Sequence, residues 1–127
     1  MIEKMHFGYE RLFVWKEAKS LTVAIYELTR SFPEDEKFGL SSQLRRSIAS
    51  VTYNLAEGST RVTKREQARF VEIAFGSLIE SASQLDVAKD LFYLDIESHK
   101  SLKMKYVKLS HQIIRYRKGI LQREDIT

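Results

Sequence analysis

In four separate stretches of this chain, apolar residues recur at alternating steps of four and three, a spacing that admits little besides amphipathic helices packed side by side. The first stretch carries Val14, Ala18, Leu21, Ile25, Leu28 and Phe32, and the second Leu44, Ile48, Val51 and Leu55. The third carries Val71, Phe75, Leu78, Ala82 and Leu85, and the fourth Leu102, Tyr106, Leu109, Ile113, Tyr116 and Ile120. Local signals divide the stretches. Phe32 precedes the only proline, Pro33, and so leaves the helical region. Gly58 is placed to cap the second helix, Thr63 and Glu66 form a capping box for the third, and Asp95 suits the start of the fourth. The predicted helices span about 10–31, 40–57, 63–91 and 96–122 within one domain, 1–127. Short connections between four such helices predict an all-α fold, an antiparallel up-down-up-down four-helix bundle.

Beside the apolar stripe of the second helix runs a row that is polar throughout: Gln43, Arg46, Ser50, Asn54 and Glu57. The third helix has a similar row in Arg69, Glu72, Gly76, Glu80 and Ser83, with Gly76 and Ser77 small enough to admit a close neighbour. Arg46, Asn54 and Glu57 are therefore expected to face Arg69, Glu80 and the backbone at 76–77. The network is read as structural, fixing helix register. Acid or base chemistry by Glu57 and Glu80 is the alternative.

Charge is unevenly spread. The net charge is +4, yet residues 98–123 hold eight Lys and Arg with no Asp or Glu, so the remainder carries −4. With no cysteine there is no disulfide and no thiolate for metal or covalent chemistry, and a reducing cytoplasm is the expected location. No run approaches the roughly 18 apolar residues of a membrane span. Second apolar rows on the first, third and fourth helices, such as Val107, Ile114 and Leu121, leave more surface than one neighbour covers and suggest an oligomer.

The segments LFVWKEA, FPEDEKFGLSSQLRRSIAS, NLAEG and RFVEIAFGSLIE, in this order, resemble the four-helix-bundle family encoded in intervening sequences of bacterial 23S ribosomal RNA genes. The residues that carry the resemblance are Leu12, Val14 and Trp15; Phe32, Pro33 and Glu36; Ser42 through Arg46; Asn54 through Gly58; and Ala74, Gly76, Ser77 and Glu80. Ser47, Thr52 and Leu55 depart mildly from the usual alanine, proline and isoleucine. The resemblance implies a left-handed antiparallel bundle assembling as a ring-like homopentamer with basic surfaces. It also implies kinship with the accessory variability determinant protein of diversity-generating retroelements, which works with a reverse transcriptase and nucleic acid.

These readings converge on a non-enzymatic protein that binds nucleic acid, RNA in preference to DNA by analogy, through phosphate contacts of its basic C-terminal helix. Lys105, Lys108, Arg115, Arg117 and Lys118 are the candidate contacts, with Arg61, Lys64 and Arg65 as a second cationic group where the third helix begins. Tyr106 and Tyr116 interleave with the cations, but they lie on the core seam and are read as packing residues. No cofactor, metal or small-molecule substrate is expected: His6, His99 and His111 lack ligand spacing, and there is no phosphate loop or nucleophile elbow. The alternative is an adaptor oligomer recruiting a protein such as an RNA-processing enzyme or a reverse transcriptase.

Overall fold

The computed structural model describes residues 7–123, and among them the chain forms four α-helices and no strand. These are α1 (Phe13–Thr29), α2 (Leu40–Gly58), α3 (Lys64–Asp90) and α4 (Ile96–Gln122), with 3-10 turns at Gly8–Arg11 and Glu34–Glu36. Each helix packs on the next in sequence, and α4 returns to touch α1. His6 lies outside the described residues.

α1 is shorter than its apolar seam. The Glu10 carboxylate accepts the Phe7 N–H at 2.7 Å, and Leu12 is extended, so the helix starts only at Phe13. At the far end the N–H groups of Arg30, Ser31 and Phe32 bond three residues back, to Glu27, Leu28 and Thr29, tightening the last turn before Pro33. The following connection is held down by one carboxylate. Glu36 accepts the Leu40 N–H at 3.1 Å with one oxygen and the Tyr93 hydroxyl at 2.7 Å with the other. It thus ties the start of α2 to the turn between α3 and α4, where Tyr93 also packs against Phe32.

The α3 and α4 starts are capped by side chains: Thr63 accepts the Glu66 N–H at 3.1 Å, and Asp95 accepts the Ser98 N–H at 2.7 Å. α3 ends with Phe92 in the left-handed region at φ 64°, while the N–H groups of Phe92 and Tyr93 satisfy the carbonyls of Lys89 and Ala88. Along the bundle axis Leu44, Ile48, Val51 and Leu55 of α2 are buried with Leu21 and Ile25 of α1, Leu78 and Leu85 of α3, and Tyr106, Leu109 and Ile113 of α4.

Two glycines do not act as their positions suggest. Gly58 is still helical and buried, and its φ is not positive; a Cβ there would lie 2.7 Å from the Phe70 Cβ. Its role is close approach of α2 to α3. Gly76 is exposed, and a Cβ would meet nothing within 4 Å, so it opens no such approach within the chain. Gly76→Ala is accordingly expected to stabilise the fold by up to about 1 kcal/mol through helix propensity. Thermal unfolding checks this, and a lowered midpoint would show that the exposed Gly76 surface is packed against another molecule.

Candidate functional site

On α4, positions 100, 108, 115 and 118 are separated by near-whole numbers of turns, so Lys100, Lys108, Arg115 and Lys118 share one outward face. All four are exposed and make no hydrogen bond or ion pair among the described residues. Exposed His111 lies on the same face, and alongside runs an exposed apolar row of Ile96, Val107, Ile114 and Leu121. Lys105 is also exposed and without a side-chain partner among the described residues, but sits toward a different side of the helix.

The other cations of α4 are engaged. Arg117 turns toward α3, where its Nε and Nη2 donate to Glu72 at 2.8 and 2.5 Å. Lys103 donates to both oxygens of Asp86 at 2.7 and 2.8 Å, and His99 Nε2 lies 2.7 Å from the same carboxylate. Partial burial works against ionisation of Asp86, but the bonds from Lys103 and His99 outweigh it and hold the pKa below its ordinary value.

The second cationic group meets the end of α4. Lys64 donates to the Arg123 carbonyl at 2.8 Å, and the Arg123 guanidinium donates to Gln67, whose amide in turn donates to the Arg61 carbonyl at 2.7 Å. Lys64 thereby lies at the negative end of the α4 dipole, a structural reason for a cation at this position. Arg65 is exposed and its side chain has no partner among the described residues, whereas Arg61 is half-buried over the Phe70 ring, 5.2 Å from its centroid. The sequence shows the two cationic groups but not that the second meets the C-terminal end of the basic helix.

The polar row between α2 and α3 is built from shorter side chains than expected. Ser50 and Ser77 hydroxyls are 2.9 Å apart, Asn54 donates to Ser50, and Ser47 donates to Gln84, which donates to Glu80 at 3.2 Å. Asn54 and Glu80 take part. Arg46, Glu57 and Arg69 instead are exposed, and their side chains make no hydrogen bond or ion pair among the described residues. A contact made by serines is too narrow for long ionised side chains, which stay in water rather than lose hydration.

Tyr106 is only 2% exposed, and its hydroxyl is 2.6 Å from that of Ser81. Burial pushes its pKa well above the usual tyrosine range, and half-buried Tyr116 shifts the same way for the same reason. The Tyr106 ring is closed to a base. Among the described residues there is no group of His, Cys, Asp and Glu able to hold a metal ion, and no helix long and apolar enough to cross a membrane.

Three carboxylates couple this architecture to pH. The pKa of Glu36 is lowered by the Leu40 N–H and the Tyr93 hydroxyl, that of Asp95 by its bonds to Ser98, and that of Asp86 as described. A lowered folded-state pKa gives stabilisation that is complete above the unfolded values near about 4 and lost as pH falls through the folded ones. The thermal midpoint is therefore expected to drop steadily from about pH 5 to pH 3. A midpoint constant over that window would contradict these three contacts.

The model of the 23S rRNA-intervening sequence protein family matches residues 10–115. A solved structure from Bacteroides thetaiotaomicron, described as a protein of unknown function from the S23 ribosomal protein family, superposes with a TM-score of 0.77. It is 21% identical, and the match covers 83% of this chain and 98% of that one, a likeness of fold. No curated protein matches the chain.

Proposed function

The chain belongs to the 23S rRNA-intervening sequence protein family, and from that premise we propose a non-enzymatic, cytoplasmic homo-oligomer that binds nucleic acid through the basic outer face of α4. The observation that carries this reading is the set of Lys100, Lys108, Arg115 and Lys118, exposed, on one face and without a side-chain partner among the described residues, in a helix whose only acid is Glu97. Cations held in this way neutralise phosphates and release counterions without first giving up an internal partner. Arg65 extends the surface at the end where α3 begins and α4 ends.

The finer architecture belongs to the same proposal. Ser47 pairs with Gln84 but Ser50 with Ser77, and Ser81 meets Tyr106 while Glu72 meets Arg117; these descending partners support an antiparallel bundle, left-handed by family resemblance. Val107, Ile114 and Leu121 beside the cations support burial of this row between copies, and a repeated cationic face would then act through avidity. Five copies, and RNA over DNA, follow the family. The same apolar row favours a second reading, an adaptor whose oligomer recruits a partner protein such as an RNA-processing enzyme or a reverse transcriptase.

The test is equilibrium binding of the purified protein to structured RNA and to duplex DNA at low salt, with its mass in solution measured alongside. The expected result is a pentamer that binds RNA more tightly than DNA. Failure to bind either at low salt would overturn the nucleic-acid reading and leave the adaptor.

A further inference from the structure

A cavity of about 900 Å³ lies away from α4, where the connection from α1 meets the outer face of α2. Its lining combines positive charge with open aromatic rings. Lys37, Arg45 and Arg46 face it together with Arg30, against the two acids Glu34 and Glu57. Phe38 is 90% exposed and Tyr53 69% exposed, both bordering the same cavity.

The two arginines of α2 are held differently. Arg45 is locked: its Nε donates to the Thr29 hydroxyl at 2.7 Å, its Nη2 to the Tyr26 carbonyl at 3.3 Å, and its guanidinium lies 4.8 Å over the Tyr26 ring. Arg46, one position on, makes no hydrogen bond or ion pair among the described residues. Arg30 is already paired with Glu27. The cavity thus holds a preplaced stacked guanidinium, a second one beside it with no side-chain partner among the described residues, and two exposed aromatic rings, of which Phe38 has the Lys37 ammonium 5.6 Å from its centroid.

Unpaired nucleotides are bound by this combination, guanidinium groups taking the phosphates and aromatic faces stacking the bases. A duplex buries its base faces and can use only the charge. We infer that the corner between α1 and α2 binds a single-stranded nucleic-acid segment, with Tyr53 and Phe38 stacking bases and Arg46 contacting phosphate. This goes beyond the α4 reading, since it is a separate surface that distinguishes unpaired from paired strands.

The experiment measures binding of a short labelled oligoadenylate and of a fully paired RNA duplex to the full chain, to Arg46→Gln/Tyr53→Leu, and to Arg46→Lys/Tyr53→Phe. All substituted side chains are exposed, and circular dichroism confirms that each variant is folded. The first variant is expected to lose roughly ten-fold or more in affinity for oligoadenylate while keeping its affinity for the duplex, and the conservative variant to retain both. The inference is overturned if the wild type does not bind oligoadenylate, if the first variant binds it as tightly as the wild type, or if both ligands weaken equally. Replacing the α4 cations bears only on the other surface: unchanged duplex binding there would sink the α4 reading and leave the groove standing.

Discussion

Gly58→Val is expected to lower the unfolding free energy by about 3 kcal/mol, and Gly58→Ala by about 1 to 2 kcal/mol. A Cβ at Gly58 would sit 2.7 Å from the Phe70 Cβ and 3.6 Å from the Gln67 carbonyl oxygen, closer to Phe70 than two carbon atoms approach. Alanine brings up to about 1 kcal/mol of helix propensity, but less in a last turn, and the overlap with a Cβ fixed to the α3 backbone exceeds it. Valine adds two further methyl-sized groups to the same contact. Relief requires α2 and α3 to separate against the Ser50–Ser77 hydrogen bond that joins them farther along the same contact. Chemical denaturation checks the expectation, and a Gly58→Val midpoint equal to the wild type would show that the two helices do not approach so closely.

Tyr106→Ala is expected to cost about 3 to 5 kcal/mol, a large part of the roughly 5 to 15 kcal/mol that holds a domain of this size together. The ring is among the largest fully buried side chains, and its removal leaves a void among Ile113, Leu109 and their neighbours across the core. Tyr106→Phe keeps the ring and is expected to cost only about 1 to 2 kcal/mol, from the loss of the bond to the buried Ser81 hydroxyl. The double variant Tyr106→Phe/Ser81→Ala should recover part of that loss, because no orphaned hydroxyl then remains. Each substitution acts through folding, so a folded Tyr106→Phe protein is expected to bind nucleic acid as the wild type does. Wild-type stability in Tyr106→Ala, with binding lost, would instead place the ring on the binding surface.

The apolar seams were legible because helical periodicity and burial are the same fact viewed twice. Val14, Leu21, Leu44, Ile48, Leu78, Leu85, Leu109 and Ile113 all lie in the core. Caps at Thr63 and Asp95 were equally local and equally readable. What spacing cannot convey is the separation between two helices. The row through Arg46, Asn54 and Glu57 was visible as polar, but whether serines or arginines fill the contact depends on that separation. The same blindness hid the reason for Gly58, which lies in Phe70 rather than in its own φ.

In the candidate site, the sequence showed eight cations between 98 and 123 but not their partners. Glu72 and Asp86 sit on α3 and remove Arg117 and Lys103 from the free set, while Lys100 joins it by helical position. Glu36 was legible as part of an acidic connector, yet its bond to Tyr93 spans 57 residues and carries no local signal. The corner groove was missed for a similar reason. Arg46 and Tyr53, seven residues apart, share a face of α2, but Phe38 precedes the helix and joins them only where the connection folds back on α2.

Contact between phosphates and the exposed cations of α4 is tested by the salt dependence of RNA binding in wild type and in Lys108→Gln/Arg115→Gln/Lys118→Gln. Each phosphate contact contributes roughly −0.7 to −0.9 to the slope of log affinity against log salt. The variant is expected to bind a structured RNA more weakly at low salt, with a slope shallower by about two or more for each copy bound to the RNA. Equal slopes in the two proteins would contradict it.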